Sequence, residues 1–422
     1  MLGKEKRKLN TPQHQLSNNR PRTFQIRTIL TVLGIILIAA NLRAAITSVG
    51  PLIGDIRDNT GLTGTVAGML TTLPLIAFAV LSPVTPKLAR RFGMEKTLFV
   101  GLLVLTLGIL LRSLPSTILL FVGTALIGLA IAVGNVLLPS LIKRDFPHNL
   151  GIMTGAYSLS MSIFAALASG LSVPIAHGLQ IGWRGSLLSV AALSIVAALI
   201  WIPQLQSRHI PKGYSTNKTT SKSIWCCPLA WQVTLFMGLQ SLAFYVSISW
   251  LPAILFDRGY SAESAGWILS LMQFVSLPVS FIVPMIAGRS KNQRGLAVLM
   301  SLFGMIGFTG LFIGSNSLLL LWIIFIGLGQ GGSISLALTM FALRAPNVMV
   351  SAELSGMAQS IGYALAACGP ILFGFLHDVT NGWNLPLIGV VIVILIQLLV
   401  GLGAGRDAYV TQLDKKETNS VS

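Results

Sequence analysis

Residues 86–98 read PKLARRFGMEKTL, and residues 284–296 read PMIAGRSKNQRGL. Pro86 and Pro284, Ala89 and Ala287, Arg91 and Arg289, and Leu98 and Leu296 match at one constant offset. Ile127–Leu129 returns as Ile326–Leu328, and Gly182-Trp183 as Gly382-Trp383, at nearly the same offset. Each match alone is weak in a chain this rich in glycine and leucine. Together they keep one order, which points to two copies of one plan joined by the polar stretch Gln204–Ser223.

The material between these loops is apolar. Of 422 residues, 53% are hydrophobic and 10% charged, and the mean hydropathy is +0.78. A soluble domain carries about 25% charged residues, so this chain lacks the polar surface to stay in water. Its apolar blocks are long enough to cross a bilayer at about 20 residues per crossing. Twelve are read, at roughly 28–49, 66–85, 97–114, 117–139, 150–174, 185–203, 229–252, 265–286, 296–314, 318–340, 354–376 and 385–404. The runs are continuous rather than alternating, which favours helices over a barrel. The expected layout is a basic tail (1–27), a six-helix bundle (28–203), a linker (204–228), a second six-helix bundle (229–404) and a tail (405–422).

The net charge of +17 invites a nucleic-acid partner, but its distribution follows the positive-inside rule instead. Basic residues crowd the N-terminal tail (Lys4, Lys6, Arg7, Lys8, Arg20, Arg22, Arg27) and the loop after the second span (Lys87, Arg90, Arg91, Lys96). They also crowd the central loop (Arg208, Lys212, Lys218, Lys222) and the loop after the eighth span (Arg289, Lys291, Arg294). Both termini are therefore expected in the cytoplasm, with a lipid bilayer and no nucleic acid as partner. The polar head is too long, and its apolar run too extended, for a cleaved signal peptide. Cys226, Cys227 and Cys368 form no framework.

Six plus six helices in one orientation, with a basic linker, resemble the major facilitator superfamily. A parallel repeat of that kind places a site near the midplane between the halves, with alternating access by rocking. The loop PKLARRFG resembles the superfamily's cytoplasmic motif G-x-L-A-D-R-x-G-R-K, with Leu88, Ala89, Arg91 and Gly93 in place. Pro86 replaces the first glycine, and Arg90 replaces the aspartate that normally pairs across the cytoplasmic gate. A gating role for Arg90, Arg91 and Gly93 is thus implied with its charge altered; the competing reading is a plain topogenic loop.

Polar residues at membrane depth carry the functional reading. All twelve acids fall in tails, loops or helix ends, with Asp55, Asp145 and Glu353 nearest to a span. A buried carboxylate that carries protons or receives cations is therefore not expected. Arg43, in NLRAAITSVGP (41–51), is the only charge from Thr28 to Val49. By helical rise it lies about 22 Å into a core of about 30 Å, in the outer half. It either snorkels to the outer interface or pairs with an acid such as Asp55 or Asp378, or it receives an anion through its planar fork of donors. Ile36, Ala40, Arg43, Thr47 and Gly50 share one helical stripe that can line a cavity. Further hydrogen-bonding candidates are Asn135, Tyr157, Gln240, Tyr245, Gln273, Gln330, Gln359 and Tyr363, each equally readable as an interhelical contact.

NLRAAITSVGPLIGDIRDNTGL (41–62), NVLLPSLIKRDFP (135–147) and GWRGSL (182–187) resemble the cyanate and 2-nitroimidazole transporter (CynX/NimT) family. Ala44 stands where a proline often follows the arginine. The resemblance implies a small, flat, anionic or polar cargo; a coupling ion is left open, and a monomer is expected. A broad-specificity drug exporter is the second transport reading. A membrane-embedded enzyme or sensor is the remote one, because no HExxH, paired mid-span carboxylates or Cys/His cluster appears, and no cofactor or metal is expected.

Overall fold

The computed structural model describes residues 22–62, 64–206, 224–314 and 316–410. The basic residues expected at 4–20 and 208–222 lie outside the described residues. The first half runs α1 (Arg22–Thr47), short α2 (Ile53–Thr60), α3 (Gly64–Leu81), short α4 (Thr85–Phe92), α5 (Met94–Arg112), α6 (Thr117–Asp145), α7 (Leu150–Val173) and α8 (Gly182–Trp201). The second runs α9 (Pro228–Asp257), α10 (Ala262–Arg289), α11 (Arg294–Ile313), α12 (Leu319–Leu343), α13 (Val348–Thr380) and α14 (Asn384–Ala404). Among the described residues, 11 helices are long and apolar enough to span a membrane, and α3 with α4, bent by 57° at their junction, completes 12.

The chain is helical because hydrocarbon offers no water to its backbone donors and acceptors, and a helix satisfies them internally. Helix starts use side-chain caps where the chain is polar: Ser116 accepts from Leu119 N–H, and Asn347 from Val350 N–H at 2.9 Å. Large apolar side chains such as Ile118, Leu199 and Ile313 point outward, as a lipid-facing belt requires. Several helices overrun the apolar windows expected from sequence. α13 begins at Val348 and ends at Thr380 rather than spanning 354–376, because helical geometry continues past the point where hydropathy falls.

The two halves meet along α7 against α10, and along α13 against α3 and α6. Their contacts begin at the face that carries the described chain ends, called here the terminal face. Gly151 on α7 lies on Pro284 and Gly288 of α10; a Cβ on Gly288 would sit 2.8 Å from Gly151 Cα, so neither position has room for a side chain. Lys143, at the end of α6, donates to the carbonyls of Ala342 and Ala345 at 2.5 Å each. Those carbonyls close α12, so the ammonium meets the negative end of a helix dipole. Ser140 donates to Ser351 at 3.2 Å.

The pseudo-symmetry extends to detail, with different chemistry in each half. Arg144, at the end of α6, pairs with Glu95 at 2.7 Å and with Asp145 at 2.6 Å. Its counterpart Arg344, at the end of α12, donates instead to the carbonyls of Ala404 (2.9 Å) and Gly405 (3.2 Å).

The glycine seam yields a test. A Gly151→Val side chain meets the Pro284 carbonyl, and overpacking costs about 1–3 kcal/mol. With Cys226, Cys227 and Cys368 replaced by serine, S140C/S351C should cross-link readily. Adding Gly151→Val should lower the yield roughly fivefold or more; an unchanged yield contradicts the seam.

Candidate functional site: an arginine between the halves

Arg43 lies on α1 four residues before its end. Side chains on a helix lean toward its N-terminus, so a long arginine there places its charge deeper than its Cα. The guanidinium sits over the ring of Phe244 at 5.2 Å from the centroid. Phe244 belongs to the other half, near the midpoint of α9. The charge thus lies level with Phe244, at the boundary between the halves. Among the described residues it makes no hydrogen bond or ion pair. The two acids weighed as partners are engaged elsewhere: Asp55 with His177 at 2.9 Å, and Asp378 with His377 at 3.3 Å. Arg43 is half-buried, so its donors remain available at the boundary between the halves.

Three tyrosines share its field. The Arg43 charge interacts electrostatically with Tyr157 of α7, Tyr245 of α9 and Tyr363 of α13. Tyr157 is fully buried, and its hydroxyl has no partner within the protein. Tyr363 packs on Phe78 of α3 with ring centroids 4.9 Å apart, and Tyr245 meets Phe244 edge-on at 5.5 Å. Arg43 of α1 thus faces Phe244 of α9 across the boundary between the halves, with Tyr245 edge-on to that ring, while Tyr363 of α13 and Phe78 of α3 make a second aromatic contact between the halves.

The other candidates are placed differently. Thr47 donates to Ala165 O and Arg43 O at 3.1 Å each, and Ser160 donates to Ile36 O at 2.9 Å. The stripe expected to line a cavity thus packs largely against α7, because Thr47 and Ile36 are spent on the α1–α7 contact. Gln359 donates to the Asn135 backbone carbonyl at 2.7 Å and to Ser355 at 3.0 Å, a tie between the halves. Gln240 donates to its neighbour Ser241 at 2.6 Å. Gln330 is buried in the glycine-lined face of α12 with its carbonyl oxygen unpartnered. Gln273 is half-buried on α10.

Arg43 is not the only charge inside the bundle. Arg112, the last residue of α5, is 1% exposed and donates to Ala45 O at 2.7 Å, while its Nε and second terminal nitrogen have no partner. It closes an orphan carbonyl at the end of α1, where the helix dipole favours a cation. Its only sequence signal was a lone arginine ending an apolar run. Phe244 and Phe78 carried none, since nothing in a phenylalanine's spacing says which charge it will face.

A profile of the Major Facilitator Superfamily matches residues 32–352. The chain belongs to that superfamily. Within it, the chain is 50% identical over 401 residues to an uncharacterized transporter, YycB, of Bacillus subtilis, covering 95% of this chain and 99% of that one. It is 46% identical over 380 residues (90% and 96%) to the 2-nitroimidazole transporter of Escherichia coli. It is 27% identical over 353 residues (83% and 91%) to the cyanate transport protein CynX of the same organism. These matches place it in the CynX/NimT family. In fold it matches the superfamily's proton:xylose symporter XylE with a TM-score of 0.72 at 12% identity, covering 92% of this chain and 98% of that one. It is a multi-pass membrane transporter, not an enzyme.

The superfamily loop is rebuilt around its missing aspartate. Arg90, in the aspartate's place, pairs with Glu353 of α13 at 2.9 Å, across the halves. Glu95, five residues on, takes Arg144. Arg91 packs on Phe92 at 5.3 Å, and Gly93 joins α4 to α5 at φ +89, a conformation open to glycine. Partly exposed pairs of this kind are worth about 0.2–1 kcal/mol. Arg90→Glu should therefore loosen the S140C/S351C cross-link modestly, and Arg90→Glu with Glu353→Arg should restore it. Additive losses in that double-mutant cycle would mean the two residues do not interact.

Proposed function

We propose that this transporter moves a small anion or polar heterocycle, cyanate- or nitroimidazole-like, by alternating access, with Arg43 as its receptor. The observation that carries the reading is the guanidinium facing Phe244 between the halves, with no hydrogen bond or ion pair among the described residues. A fixed cation with available donors attracts a negative group and repels a cation, and in a low-dielectric site the selection is strong. Tyr157, Tyr245 and Tyr363 supply hydroxyls around it, and Phe244 and Phe78 supply flat faces. The names of the relatives, a 2-nitroimidazole transporter and a cyanate transport protein, support the same cargo class; a broad drug exporter draws no support from them. Arg90 and Glu353, with Lys143 on the end of α12, form the latch that opens when the terminal face admits the cargo. The basic residues Lys87, Arg90, Arg91, Lys143 and Arg144 on that face support a cytoplasmic orientation for it and for both termini, in a cell membrane. The working unit is taken as a monomer.

Uptake of labelled cyanate and 2-nitroimidazole into proteoliposomes tests this. Arg43→Ala removes a charged hydrogen-bond donor, worth about 1.5–3 kcal/mol, so uptake at low substrate should fall roughly ten- to a hundredfold. Arg43→Lys keeps the charge but loses the fork, and should retain an intermediate rate. Normal uptake by Arg43→Ala at normal membrane abundance, or a preference for cations over anions, would overturn the reading.

A further inference from the structure

Arg43 lacks more than a partner of its own: most of the described acid side chains are engaged elsewhere, and the rest are exposed at the ends of the bundle. Glu95 and Asp145 are held by Arg144, Glu353 by Arg90, Asp55 by His177 and Asp378 by His377. Asp257 accepts from Trp383 at 2.6 Å, and Asp58 and Asp407 are exposed. All of these lie toward one or other end of the bundle, while Arg43 faces Phe244 near the middle of α9.

In the present arrangement the terminal face is closed and Arg43 is half-buried. To present the site to the other side, the halves must first close over it and expel water. The guanidinium keeps its charge in a protein, so the cost of drying it has to be met by a counterion. The Phe244 ring and the tyrosine hydroxyls are neutral; a cation–π contact is weak beside the loss of a charge's hydration. Arg112 faces no such change. It lies within one half, on the carbonyl of Ala45, and travels with that half when the halves rock.

We propose, resting on the reading of Arg43 as anion receptor, that the transporter is an anion exchanger. The bound anion is the countercharge that lets the site close, so an empty carrier stays on the side where it released its load. Each anion leaving one side is replaced by another returning. The exchange partner is defined by the same chemistry as the cargo, a small monoanion that fits between the guanidinium and the rings. No titrating carboxylate is needed, and protons need not be coupled.

The test uses the full chain in liposomes with labelled cyanate outside at pH 8, where it is an anion. One set of vesicles holds unlabelled cyanate, and a second holds gluconate. Initial entry into the cyanate-loaded set should be at least tenfold faster, and neither a pH gradient nor an imposed membrane potential should close the gap. Equal Arg43-dependent entry into both sets, or rapid entry into the gluconate set driven by a pH gradient, would overturn exchange while leaving the anion reading intact. If neither cyanate nor, in a parallel pair of vesicle sets, labelled 2-nitroimidazole moves, or if Arg43→Ala moves them equally well, both readings fall.

Discussion

A charge in hydrocarbon costs at least about 2.5 kcal/mol even by the most lenient scales, and that penalty arranges this molecule. It sends the described carboxylates toward the ends of the bundle, where histidine, arginine or indole partners hold most of them. It folds Arg112 onto a helix-end carbonyl. It leaves one exception, Arg43, whose position between two movable halves gives the charge somewhere to be used. At the boundary it is solvated in one state and in need of a counterion in passing to the next.

The same penalty explains how the halves can both hold and release each other. Their junction is made of contacts that are close but individually modest: a glycine seam between α7 and α10, an ammonium on the last carbonyls of α12, and one partly exposed ion pair. Each can be exchanged for water at the terminal face at little cost. A junction of interlocked large side chains would be more stable and less able to move.

The architecture was legible in the sequence because it rests on long-range regularities. The duplicated segment that runs from α4 into α5 and from the end of α10 into α11, the apolar blocks and the sidedness of lysine and arginine survive without knowledge of any contact. Arg43 was legible for the converse reason, as a single violation of an otherwise uniform pattern. What escaped was pairing. Gln359 and Asn135 both looked like cavity residues, yet one donates to the other's backbone. Thr47 shared Arg43's helical stripe, yet its hydroxyl serves the α1–α7 contact. Arg90 looked like the loss of a gate, because the sequence could not reveal that Glu353 stands opposite and restores an ion pair with its polarity reversed. Helical periodicity gives the direction of a side chain but not the identity of its neighbour, and in a bundle this apolar the neighbour decides the role.

Helix α13 carries a consequence of its own. Between Glu353 and Tyr363 it runs ten residues without a proline, about 15 Å of unbroken helix. Along that rod Glu353 meets Arg90, Gln359 meets the Asn135 carbonyl, Ser360 meets the Ala79 carbonyl at 2.6 Å, and Tyr363 meets Phe78. Four attachments to the first half are thus threaded on one stiff element, whose upper end reaches the field of Arg43. A lever of that kind cannot release one attachment while the others stay seated. A shift of Tyr363 at one end of that segment is therefore carried along the helix to Glu353 at the other.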